Sequence, residues 1–108
     1  LEDELGEENT QFIPEGYALQ GNFPNPFNPS TTIRFSVGDA MYKAVKVNIY
    51  NALGEVVRTL TVEVNGRGYY EVTWDGRFEN GLTAPSGVYF YVVDFEVFNL
   101  IGKMILLK

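Results

Sequence analysis

The sequence predicts an all-β fold, a sandwich of antiparallel strands, on three observations. Apolar and polar residues alternate with a period of two in one short segment after another, the mark of half-buried strands. Turn-forming Gly, Asn, Asp and Pro separate those segments at intervals of roughly 8–12 residues. No longer stretch carries the period of an amphipathic helix. About seven strands at this spacing is the pattern of an immunoglobulin-like antiparallel β-sandwich. The Cys–Trp–Cys set of antibody domains is missing, so the expectation concerns architecture alone.

In chain order, a short leading strand is expected near Ala18–Gln20. Thr31, Ile33, Phe35 and Val37 then share one face against Thr32, Arg34 and Ser36, and Val45, Val47 and Ile49 alternate with Lys46, Asn48 and Tyr50. Val56, Leu60, Val62 and Val64 share one parity, with Arg58 the exception, and Tyr70, Val72 and Trp74 alternate with Glu71 and Thr73. Gly87 to Phe95 is nearly all apolar or aromatic, as expected of a central strand covered on both faces. Either Tyr89 and Tyr91 or Val88, Phe90 and Val92 line its core side. The last strand is expected over Lys103–Leu107. Asn51 to Gly54 supplies a turn, and Asn65-Gly66 reads as a tight hairpin turn because both residues tolerate positive φ. Asp75-Gly76 and Asn80-Gly81 bracket a longer loop ending at Pro85-Ser86-Gly87.

The length of 108 residues suits one domain. Residues 1–16 read as an acidic linker, with Glu2, Asp3, Glu4, Glu7 and Glu8 in its first half, and residues 17–108 as the folded body. A chain with 45% hydrophobic residues, including eight Phe, seven Tyr and one Trp, has the material for a proper core. With no His and no Cys, it has no Ser-His-Asp or Cys-His nucleophile, no thiolate metal site and no disulfide. Net charge is −6 and no basic stripe is present, so nucleic acid is not an expected partner. No apolar run reaches the ~20 residues of a membrane span. No signal peptide opens the sequence, so export would rely on a signal upstream.

One segment is more particular than turn chemistry requires: Asn22, Phe23, Pro24, Asn25, Pro26, Phe27, Asn28 and Pro29, running on into Ser30-Thr31-Thr32-Ile33. Its prolines fix φ and hold each preceding residue extended. The Asn side chains can satisfy backbone groups locally, and Phe23 and Phe27 are expected to anchor the rigid loop on the sandwich. Further blocks follow in order: Val47-Asn48-Ile49-Tyr50-Asn51-Ala52-Leu53-Gly54, Trp74-Asp75-Gly76-Arg77, Asn80-Gly81, Pro85 to Tyr91, and Lys103 to Lys108. From about Ile13 to Lys108 the chain resembles the type A C-terminal sorting domain of the type IX secretion system, a relative of the immunoglobulin-like domain of flagellar hook-capping proteins.

That resemblance implies a non-catalytic address carried by a larger protein. The upstream cargo reaches the periplasm of a Gram-negative bacterium, and the domain is recognised by the outer-membrane secretion apparatus, which delivers the cargo to the cell surface or the medium. The family's recognition residues fall here on Gly102, Lys103, Met104, Ile105, Leu106, Leu107 and Lys108. Physically, a terminal edge strand exposes N–H and C=O groups that a receptor can complete with a strand of its own. Lys103 and Lys108 bracket its apolar middle. On this reading, deleting Lys108 or changing Leu106→Asp abolishes sorting and leaves most of the fold intact. The alternatives are an accessory module binding surface polysaccharide or a protein partner, and a structural spacer. An exposed Tyr89–Tyr91 strip would favour polysaccharide. The loop Asp75–Gly81 offers Asp75, Glu79 and Asn80 as oxygen ligands, too few for calcium without backbone carbonyls. Glu71, Asp75 and Glu79 lack the cleft a glycosidase needs. No cofactor or metal is expected.

Overall fold

The computed structural model describes residues 12–108, so the expected acidic linker lies outside the described residues as far as residue 11. Seven strands follow: β1 (Ala18–Phe23), β2 (Thr31–Val37), β3 (Ala44–Tyr50), β4 (Val56–Glu63), β5 (Gly68–Trp74), β6 (Gly87–Asp94) and β7 (Asn99–Leu106). They form two antiparallel sheets, ordered β1-β2-β5 and β4-β3-β6-β7. The all-β sandwich expected from the alternation is the fold observed. Among the described residues no helix is long and apolar enough to cross a membrane.

Strand parity places the core. Ile33, Phe35 and Val37 of β2 and Trp74 of β5 face Val45, Val47 and Ile49 of β3, with Tyr89, Tyr91 and Val93 of β6 and Met104 and Leu106 of β7, all buried. The choice left open on β6 is thereby made: the tyrosines are core. Burial holds both hydroxyls above the usual tyrosine range. Val88, Phe90 and Val92 point outward and are only partly covered, so β6 is covered on one face, not both. At one end of the sandwich Tyr17, Phe95 and Phe98 meet edge-on or stacked at centroid distances of 4.9–5.1 Å. Tyr42 joins them and donates its hydroxyl to the Phe95 carbonyl at 3.0 Å.

Four local expectations are corrected. Asn65-Gly66 is not a hairpin turn, because β4 and β5 belong to different sheets and do not pair. The dipeptide supplies the positive φ of Gly66, 119°, but it is spent on a crossover between the sheets. The Tyr70 hydroxyl pins that crossover, accepting from the Asn65 N–H at 3.0 Å and donating to the Gly66 carbonyl at 2.8 Å. In β4 a register shift opposite Ile49 and Tyr50 turns Val56 outward and brings Val57 against the core. The terminal strand begins at Asn99, earlier than the expected Lys103, and pairs with β6 along its whole length. The leading strand likewise runs on to Phe23.

The aromatic end of the sandwich carries a pH dependence. Tyr17 is pushed up from 10.0 to about 12, first by burial and then by its hydrogen bond to Asp39 and that carboxylate's charge. The unfolded chain therefore loses this proton first as pH rises, so stability is full below about pH 10 and falls towards about pH 12. Urea midpoints at about pH 8 and about pH 11 will show this loss, and Tyr17→Phe will reduce the difference between them.

Candidate functional site

The two stretches singled out in the sequence, the proline-rich loop and the terminal strand, form one structure. β1 ends at Phe23 in one sheet, the loop crosses to the edge of the other sheet at β7, and the chain returns to the first sheet at Thr31. At the crossing, the Phe27 N–H donates to the Ile105 carbonyl at 2.9 Å and the Leu107 N–H donates to the Phe27 carbonyl at 3.0 Å, a single parallel bridge. Asn25 extends the contact through its side chain. Its Oδ1 accepts from the Ile105 N–H at 3.0 Å and its Nδ2 donates to the Lys103 carbonyl at 3.4 Å. The Phe27 ring enters the core beside Trp74, 5.8 Å between centroids.

The base of the loop is closed by Asn22 and Thr31, both buried. The Thr31 hydroxyl donates to the Pro24 carbonyl at 2.8 Å and accepts from Asn22 Nδ2 at 3.1 Å. A buried polar pair of this kind holds because each group has its partner. Thr31 was readable as the one hydroxyl on the inward parity of β2, yet its role needs the fold to be seen. Two further supports come from residues that the sequence marked only as turn positions. A Cβ on Gly76 would stand 2.5 Å from the Pro29 carbonyl oxygen, and Ser86 Oγ accepts from the Lys108 N–H at 3.0 Å.

Several expected roles change as a result. Phe23 does not anchor the loop; it is 61% exposed, and Phe27 alone is buried. The C-terminal part of the β7 edge is not open for strand addition, since Asn25 and Phe27 already engage Lys103, Ile105 and Leu107. Met104 and Leu106 are fully buried. Leu106→Asp therefore cannot spare the fold: it places a carboxylate at a fully buried position bridged to Phe27, where desolvation costs several kcal/mol. Gly102 faces inward against Tyr91, whose ring occupies the space a side chain would need. The outward set is Ile101, Lys103, Ile105, Leu107 and Lys108, continued on the loop by Phe23, Pro24, Asn25 and Pro26.

Around Trp74, fully buried with its indole N–H donating to the Arg77 carbonyl at 2.8 Å, the loop after β5 spends its oxygens on the chain itself. Asp75 Oδ1 accepts from the Arg77 N–H at 3.0 Å and from Arg58 at 3.1 Å, Asn80 Oδ1 from the Leu82 N–H at 3.0 Å, and Glu79 Oε1 from the Thr59 N–H at 3.1 Å. The Glu79 N–H also donates to the Val57 carbonyl at 2.7 Å, so this loop covers the β4 edge as the proline-rich loop covers β7. Glu71 lies on the opposite sheet, 4.0 Å from Arg34. The three acids do not converge on one point.

Fold and site define an immunoglobulin-like β-sandwich module whose first loop is fastened to its last strand. The FlgD Ig-like domain model matches residues 27–96, and the chain belongs to that family. Among solved structures it is similar to the dimeric latent PorU of Porphyromonas gingivalis, 28% identical with a TM-score of 0.65 over 86% of this chain. It spans only 9% of that PorU chain. It is also similar to PorZ, a surface component of the type-IX secretion system of the same organism, at 20% identity and a TM-score of 0.54 over 86% of this chain and 12% of PorZ. A third likeness is to the flagellar hook-capping protein FlgD of Xanthomonas campestris, at 19% identity and a TM-score of 0.54 over 83% of this chain and 67% of that one. These last two likenesses concern the fold alone. No curated protein matches the chain.

The inward position of Gly102 gives a direct test of the packing. Gly102→Ala will destabilise the domain by about 1–3 kcal/mol, the usual cost of overpacking. In a Tyr91→Leu background, where the ring is gone, the same change will cost measurably less. Denaturant unfolding of the four variants in a double-mutant cycle reads the coupling directly.

Proposed function

We propose that this domain is a non-catalytic sorting module that directs an upstream cargo protein through type IX secretion to the cell surface. The observation that carries the reading is the docking of the Asn22–Pro29 loop on β7. It joins the sequence words shared with sorting domains to the terminal strand in one surface, which presents Phe23, Asn25, Ile101, Lys103, Ile105, Leu107 and Lys108. Recognition proceeds through these side chains rather than by strand addition along the whole β7 edge, because the loop takes up its C-terminal backbone groups. The likeness in fold to PorZ, a bacterial surface component of the type-IX secretion system, is in keeping with this reading.

The test appends residues 1–108 to a periplasmic reporter in a cell with a working type IX system. Removing residues 102–108 would delete Met104 and Leu106 from the core, so it confounds loss of signal with loss of fold. The informative variants are Lys103→Glu, Ile101→Asp and Leu107→Asp, each changing an exposed side chain and keeping the main chain that the loop bonds. The unaltered domain is expected to carry the reporter to the surface or the medium. The three variants, folded by circular dichroism, are expected to leave most of it in the periplasm. Retention of the unaltered fusion, or equal export of all variants, overturns the reading.

A further inference from the structure

We infer that a groove on the outer face of the β1–β2–β5 sheet binds a pyranose unit of a glycan chain. The inference is independent of the sorting surface, which lies on the other sheet and its covering loop. The groove arises from register. Ala18, Ser36 and Tyr69 lie side by side across the three strands on the outward face, so two small side chains form a floor beside one large aromatic wall. The resulting depression has a volume of about 500 Å³.

Its end is closed by Glu15 and Gly16, which pass over the end of β2 at Gly38. A Cβ on Gly16 would stand 2.7 Å from the Gly38 Cα, and Gly16 has a φ of +90°. Glycine is thus required for the chain to cross there and shape the groove.

The lining has the mixed character that sugar recognition needs. Tyr69 is 64% exposed although it belongs to a strand, and Arg34 lies over its ring at 4.7 Å from the centroid. The guanidinium holds one face of the ring, and the opposite face is assigned to stacking against the C–H face of a pyranose. Glu15, Gln20 and Arg67 then surround the floor and, with Ser36 in it, supply both donors and acceptors. That set can satisfy hydroxyl groups, which donate and accept together. Arg67 extends the range to a sugar carboxylate, which its planar fork can hold with two hydrogen bonds. The buried Tyr89 and Tyr91 cannot serve this purpose.

The experiment is an NMR titration of the 108-residue chain with four probes: maltopentaose, cellopentaose, mannopentaose and pentagalacturonate. At least one is expected to move the amide signals of Ala18, Ser36, Gly38 and Tyr69 together, with a dissociation constant of about 1 mM. Tyr69→Ala, which removes an exposed side chain, is expected to weaken that binding by roughly tenfold or more while the other amide signals keep their positions. Arg67→Gln separates the two kinds of ligand: it weakens an acidic sugar strongly and a neutral one little. Absence of shifts at these residues with all four probes at about 10 mM overturns the inference. So does binding that Tyr69→Ala leaves unchanged.

Discussion

The insertion of Phe27 between the sheets is the contact on which the rest of this domain depends. Its ring lies against Trp74, from the three-stranded sheet, and its backbone is bonded in both directions to β7, in the four-stranded sheet. One residue therefore ties side-chain packing in the core to main-chain pairing at an edge. The prolines on either side restrict the unfolded loop, so less conformational entropy is lost when it docks. Asn22 and Thr31 close its base without leaving a buried polar group unpaired. The rigid loop and the terminal strand then hold each other in place.

The same solution recurs on the far side of the four-stranded sheet. There the Glu79 N–H and carboxylate engage Val57 and Thr59 on β4, while Arg58 reaches Asp75 and the Arg77 carbonyl. Both outer strands of that sheet are thus partly covered by a loop from the other half of the molecule. Exposed edges invite unwanted pairing, and covering them by loops is one of the ways proteins prevent it. For β7 this has a functional consequence. Any partner at this edge would meet side chains set on a fixed frame, because the main-chain groups of Lys103, Ile105 and Leu107 are already engaged by the loop.

Strand positions were legible because a period of two survives in Thr31–Val37 and Val45–Tyr50, where one face is fully buried and the other solvated. Trp74 was legible as core for the same reason. What the sequence could not convey was pairing. Asn65-Gly66 encodes a backbone with positive φ but not whether the next strand stays in the sheet, and here it leaves. Val56 and Val57 exchange faces through a bulge that no residue type announces. Nor does an alternating pattern appear in Gly87–Phe95 or in Lys103–Leu107, where both faces carry apolar residues. For that reason the inward placement of Tyr91 and Leu106 could not be read from parity. The union of the proline-rich loop with β7 was invisible for a related reason: it is a contact across most of the chain.

That separation bears on how such a surface can act. The bonds from Asn25 to β7 span 78 and 80 residues of sequence, so no unfolded or half-folded chain presents loop and strand together. Loop closure over such a length is unfavourable until the core that rewards it has formed. A receptor that needs Phe23, Asn25, Lys103 and Leu107 at once therefore binds only the completed sandwich. A receptor reading the last seven residues as a linear tag would accept any chain that ended in them, folded or not. The buried state of Met104 and Leu106 weighs against the linear tag, since two of those seven residues turn their side chains into the core, where they cannot be read. On the sorting reading proposed above, recognition and folding become a single condition, because loop and strand stand together only when Phe27 has closed the sandwich.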